Sequence, residues 1–122
     1  MKIAVTSTGE ALDSQVDPRF GRASCFIIVE TETMEHSVVE NTSIATAGGA
    51  GISSAKAVAD TGAEAVLTGN CGPNAQRTLD AAGIRLYTDV TGTVAEAVER
   101  FKSGALTVAN GPNVQTHFGM GK

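Results

Sequence analysis

The sequence predicts an α/β domain, with a mixed sheet and helices on both of its faces. Three observations carry that reading. Two strand-like segments near the start form a hairpin, and short apolar strand runs then alternate with helical stretches from residue 48 onward. Gly62, Gly83 and Gly104 also recur at a constant step, each just past a helical stretch. A glycine there is the usual stop of an α-helix. The recurrence therefore marks helix–strand units, too degenerate in sequence for a solenoid.

Taken in order, "KIAVTS" (2–7) reads as a short buried strand. The segment "GEALDSQVDPRFGR" (9–22) is a loop punctuated by Asp-Pro and Gly. "ASCFIIVETET" (23–33) and "MEHSVVEN" (34–41) are two hairpin strands turning near Glu32 to Glu35. The first carries Phe26-Ile27-Ile28-Val29, the second a weaker pattern. In "GGAGISSAKAVADTG" (48–62), Ile52, Ala55 and Ala59, with Ala63 just beyond, keep helical spacing. "AEAVLTG" (63–69) is a buried strand, and "GPNAQRTLDAAG" (72–83) a helix with Pro73 at its first position. "IRLYT" (84–88) is the last strand. "TVAEAVERFKSG" (93–104) is a helix with Val94, Val98 and Phe101 on one face and a capping box from Thr93 to Glu96. Residues 1–108 are expected to form one domain and 109–122 a flexible Gly-rich tail.

Composition narrows the function classes. The 122 residues are 42% apolar and 18% charged, which describes a globular chain with one modest core. A net charge of −4 disfavours nucleic acid as a partner. No stretch is long and apolar enough for a membrane span, and "MKIAVTSTGE" lacks the apolar core of a signal peptide. Cys25 and Cys71 form neither a C-x-x-C motif nor a disulfide framework, so a reducing cytoplasm is the expected setting.

Chemistry is expected where parallel strands end and loops enter helices. "TSTGE", "TAGGAG" and "TGNCGPN" are those loops, and the latter two are glycine-rich and open helices, which favours an anion. Neither is a Walker loop or a dinucleotide fingerprint. "DPRFGR" adds charge: Lys2, Arg19 and Arg22 are the basic residues before residue 50, and Arg suits anions. The competing explanation is surface arginines bridging Asp13 and Asp17. At an inferred helix start, Cys71 is expected to have a lowered pKa, as a soft-metal ligand or nucleophile would, against a buried small side chain. No histidine is placed to serve it as a base, since His36 lies in the hairpin and His117 in the tail. His117 is a second metal candidate, set against no role at all, and Cys25 reads as core. Strand-end carboxylates are too few for Mg²⁺-dependent nuclease chemistry.

"DPRFGRASCFIIV", "GGAG", "GNCGPNAQRTLDAAGIRLY" and "TVAEAVERFKSGAL", in this order, resemble the dinitrogenase iron–molybdenum cofactor biosynthesis family, which includes NifX, NafY and the C-terminal domain of NifB. The chain looks like the stand-alone type, similar to the orange protein of sulfate reducers. The resemblance implies a three-layer α/β/α, ribonuclease H-like fold with strand order 3-2-1-4-5 and strand 2 antiparallel. It implies non-catalytic binding, storage or delivery of an anionic molybdenum-containing metal–sulfur cluster, of Mo-Cu-S or Fe-Mo-S type, with donor and acceptor proteins as partners. By position, Arg19, Phe20, Gly21 and Arg22 match its cofactor-side motif. Gly48, Gly49, Ala50 and Gly51, then Asn70, Gly72 and Asn74, match its two helix-opening loops. Arg19 stands where cluster-carrying relatives can have a histidine, which leaves it charge pairing as a role; members vary at Cys71. Two other classes stay open: an enzyme acting on a small phosphorylated substrate, with Asp17 and Asp89 as acid/base candidates, and a regulatory protein-interaction module.

Overall fold

A computed structural model describes residues 1–41 and 50–109 of the chain. Five strands and three helices follow the expected order: β1 (Lys2–Ser7), β2 (Cys25–Glu30), β3 (His36–Glu40), α1 (Ala50–Asp60), β4 (Ala65–Leu67), α2 (Pro73–Ala81), β5 (Arg85–Tyr87) and α3 (Val94–Ser103). The strands form one sheet in the order β3-β2-β1-β4-β5. β2 is antiparallel to both β1 and β3, whereas β1, β4 and β5 are mutually parallel. This is the three-layer, ribonuclease H-like arrangement that the family resemblance implies.

Side chains alternate between the two faces of the sheet and create two cores. Ala4, Phe26, Ile28, Val66 and Leu86 face α1 and α2, which contribute Ala55, Val58, Ala75 and Leu79. Ile3, Val5, Ile27, Val29 and Leu67 face α3, which contributes Val94, Ala97 and Val98. Each fully buried Val, Leu or Ile among them is worth about 1.5–3 kcal/mol of hydrophobic transfer. The thin helices demanded by an Ala-rich composition are visible between α1 and α2: a Cβ on Gly51 would lie 3.1 Å from the Ala75 Cβ.

The glycine stops act through backbone geometry. Gly62, Gly83 and Gly104 have φ of +82°, +75° and +80°, with nothing near enough to exclude a Cβ at any of them. A side chain there would be strained by the left-handed conformation rather than by crowding. The α3 capping box is also present, with the Thr93 hydroxyl accepting from Glu96 N–H and the Glu96 carboxylate accepting from Thr93 N–H.

One expectation needs correction. Ile52, placed on the apolar face of α1, is 36% exposed, while Ser54, Ala55 and Val58 are buried. The buried arc of α1 is turned away from Ile52 by about a third of a helical turn: Ala55 and Val58 pack into the core, and Ser54 Oγ donates inward to Asn41 Oδ1 (3.1 Å). Beyond α3, Val108 forms an antiparallel bridge to Tyr87, and Ala109 N–H donates to the Leu86 carbonyl. The chain thus stays hydrogen-bonded to β5 as far as Ala109; the rest of the expected tail, 110–122, lies outside the described residues.

Candidate functional site

β1 and β4 end side by side and then diverge, β1 leading toward β2 and β4 toward α2 and β5. Such a switch point leaves a crevice beyond the strand ends. Here the loop after β1 folds back over it. Asp17 N–H donates to the Thr6 carbonyl (2.9 Å). The Thr6 hydroxyl donates to the Asp17 carbonyl (2.7 Å) and pairs with the Thr68 hydroxyl (2.9 Å).

The loop is then clasped to the turn after β4. Phe20 N–H donates to the Asn70 carbonyl (3.0 Å), and Asn70 N–H donates to the Pro18 carbonyl (2.6 Å). Arg19 and Asn70 thereby form a parallel bridge. Gly69 is required beneath it, since a Cβ there would lie 2.6 Å from Pro18 Cα. From below, the Phe20 ring anchors the loop: it is 2% exposed and packs on Phe26 with centroids 5.6 Å apart. Phe20 was expected among the cofactor-binding residues, and its side chain belongs to the core instead.

A third tie runs through Asn41, buried just past β3. Its Nδ2 donates to the carbonyls of Gly21 (3.2 Å) and Ala23 (2.9 Å), and its Oδ1 accepts from Ser54 of α1. One amide therefore joins the arginine loop to the first helix.

Two helix starts adjoin this loop. Gly72 caps α2 with no side chain, Pro73 opens it, and neither α1 nor α2 has an acidic residue in its first turn. The amides of a first turn have no acceptor within their helix and carry the positive end of its dipole. The start of α3 differs from that of α2, because Thr93 and Glu96 already satisfy it from within the chain. The contact of Gly51 with Ala75 brings the starts of α1 and α2 together. Arg22, Asn70, Gly72 and Asn74 are exposed, and Gly21 and Gly51 are half-buried. Ala50 opens α1. Gly48, Gly49 and His117, the remaining expected site residues, lie outside the described residues.

Arg19 is 66% exposed at its side chain, with Nε 3.6 Å from Oδ1 of the buried Asp17. Its backbone N–H donates to the same oxygen (2.9 Å). The pairing of an arginine with Asp17 is therefore real, although Asp17 is buried rather than a surface partner.

Cys71 departs from expectation. It stands one residue before the N-cap and packs, half-buried, against the core cluster containing Phe20. Burial, reinforced by the Asp80 carboxylate, pushes its thiol up to about 11. Burial thus favours the thiol at neutral pH rather than the thiolate expected from the helix start. Cys25 is a core residue as expected, its thiol donating to the Gly9 carbonyl (3.1 Å) and pushed up by burial. Asp89 is exposed just after β5 and is tied to the turn after β4, its N–H donating to the Gly69 carbonyl (2.8 Å).

Among the described residues, no group of three or more His, Cys, Asp or Glu is arranged to hold a metal ion. Nor is any helix among them long and apolar enough to cross a membrane. A cavity of about 520 Å³ lies at the opposite end of β1, lined by residues such as Lys2, Glu30 and His36, and no candidate site residue borders it.

The model of the dinitrogenase iron-molybdenum cofactor family matches residues 1–104. The chain belongs to that family. Among solved structures, the apo form of the orange protein from Desulfovibrio gigas superposes with a TM-score of 0.88 at 46% identity, over 92% of this chain and 95% of that one. A NifB-like protein from Thermotoga, solved by NMR, gives 0.79 at 40% identity, over 91% and 95%. An uncharacterized protein of Methanocaldococcus jannaschii is 33% identical over 97 residues, 77% of this chain and 82% of its own length. The dinitrogenase cofactor family fold thus accounts for the whole sheet.

Sequence reading missed Asn41 as a tie, since a lone asparagine at a strand end carries no distinguishing pattern. Asp17 had a faint signal: Asp-Pro followed by Arg is the pattern of an Asx turn, in which the carboxylate accepts an amide two residues on.

Proposed function

We propose that this protein binds, stores or delivers a preformed anionic metal–sulfur cluster without catalysing a reaction on it. The cluster would be a molybdenum-containing one, of Mo-Cu-S or Fe-Mo-S type, taken as cargo. Membership of the dinitrogenase cofactor family and the likeness to the orange protein support this reading. The observation that carries it is the clasp of Arg19 to Asn70, which sets the arginine loop beside the uncapped start of α2.

The donor set suits an intact cluster better than a bare cation. A bare cation needs converging anionic or imidazole ligands. A thiometallate presents outer sulfides that accept hydrogen bonds, and guanidinium groups and helix-start amides donate them. Arg19, Arg22 and the amides following Gly72 would supply charge and direction, and the α1 start a second bank of donors. Cys71 is a candidate soft ligand for copper or iron. Since its thiol is protonated at neutral pH, ligation would release a proton.

The reading is tested by mixing anaerobic apo-protein with tetrathiomolybdate and Cu(I), then repeating with an Arg19→Ala/Arg22→Ala variant. A charge-transfer band that survives gel filtration with the native protein and is lost in the variant supports the site. No retained band in either, or equal bands in both, overturns it.

A further inference from the structure

Asp17 is an acidic side chain buried beside a proposed anion site, which needs a reason. Its side chain is 5% exposed, and its main chain is fixed to β1 through Thr6. A single oxygen, Oδ1, does two things: it accepts the Arg19 N–H at 2.9 Å and faces Arg19 Nε at 3.6 Å. The first contact shapes the loop. The second sets an acidic group against the guanidinium.

We infer that Asp17 is a positioning residue for Arg19, a resident counter-ion that holds the guanidinium in the empty protein and competes with an anionic cargo for it. This rests on the cluster-binding reading above. Arg19 is exposed enough to turn from Asp17 to a ligand at the crevice and back, while its N–H bond keeps the loop in place. An anion arriving at the site must displace an existing ion pair and tolerate a nearby carboxylate, so its affinity is lower than Arg19 alone would give. The same competition favours release, because Asp17 recaptures Arg19 as the cargo departs. A carrier that must surrender its cargo gains from that arrangement.

The two contacts separate by substitution. In Asp17→Asn, the amide oxygen can still accept the Arg19 N–H, but the charge is gone. In Asp17→Ala both contacts are lost. Arg19 is largely exposed and stands 3.6 Å from Asp17, so water weakens their attraction, and Asp17→Asn is expected to bind tetrathiomolybdate about threefold more tightly than the native protein, with slower release. Asp17→Ala is expected to bind more weakly, its loop no longer held. In an Arg19→Ala background, the Asp17→Asn gain should shrink. In NMR spectra of the ligand-free protein, the Arg19 Nε–H signal should move in Asp17→Asn while the Arg19 backbone amide stays protected from exchange.

Titration of these proteins with tetrathiomolybdate, followed by absorbance, decides the matter. If the native protein binds and Asp17→Asn binds equally or more weakly, the counter-ion role is wrong while the cluster reading stands. An equal gain in the Arg19→Ala background also overturns it, by showing that the carboxylate acts on the cargo directly. If the native protein takes up no tetrathiomolybdate, the cluster reading falls and the competition with it. An Arg19 Nε–H signal that does not move then removes the ion pair as well.

Discussion

Gly69 and Pro18 touch so closely that a side chain between them is excluded: a Cβ on Gly69 would lie 2.6 Å from Pro18 Cα and 2.8 Å from its carbonyl oxygen. That contact lets Asn70 reach both Pro18 and Phe20 with backbone hydrogen bonds. Gly69→Ala is expected to cost about 1–3 kcal/mol, the range for overpacking a close contact, and to weaken anion binding by spreading the clasp. Gly72→Ala is the control: nothing lies within 4 Å, and its φ of −70° suits any residue. Its cost should stay below about 1 kcal/mol, from a poorer N-cap. Urea unfolding of both variants checks the ordering.

Asn41 satisfies three buried or half-buried partners at once, namely Gly21, Ala23 and Ser54. Removing it strands groups that have no easy route to water. Asn41→Ala should lose about 1–3 kcal/mol, the penalty for buried unpaired polar groups. Hydrogen exchange should speed up from Gly21 to Ala23 and in the first half of α1, while β4 and β5 keep their protection. Uniform acceleration across the sheet would show that Asn41 is not a local tie.

The Cys71 thiol supplies a pH signature. Its pKa is raised from 9.0 to about 11 by burial and by Asp80. Between those values the folded state holds a proton that the unfolded state has lost. The resulting stability is complete below pH 9 and disappears as pH rises toward 11. Relative to Cys71→Ala, the native protein should therefore lose stability across that window and not below it. Alkylation by iodoacetamide should be slow at pH 8 and rise toward pH 11. A rate that saturates near pH 7 would restore the activated thiolate expected from the helix start.

Local signals in the chain were strong where structure is made locally. The stops at Gly62, Gly83 and Gly104 were legible because a left-handed φ leaves few residue types to choose from. Thr93 and Glu96 were legible because a capping box closes within one turn. The two β-rich segments announced the β2–β3 hairpin through their own apolar patterns. The site was legible as loops and charges, through Arg19, Arg22 and the glycines, but not as an assembly. The clasp joins Arg19 to Asn70 through backbone atoms alone, and backbone pairing leaves no side-chain trace. Phe20 sits between two arginines, so it read as part of a binding loop when the fold turns its ring into the core. Cys71 was judged by the dipole of α2, whereas its protonation follows from burial against the core cluster, which only tertiary packing reveals. Ile52 misled for a similar reason: the arc of α1 that is buried includes Ser54, whose inward bond to Asn41 is a long-range contact.

The central claim is that an anionic cluster binds at the arginine loop and the two helix starts, and ¹H–¹⁵N NMR during titration with tetrathiomolybdate tests it most directly. Saturable shifts concentrated at Arg19 to Arg22, at Cys71 to Ala75 and at Gly51, with quiet signals around Lys2, Glu30 and His36 at the far end of β1, are the predicted result. Shifts centred on that far end, or none at millimolar tetrathiomolybdate, would contradict it.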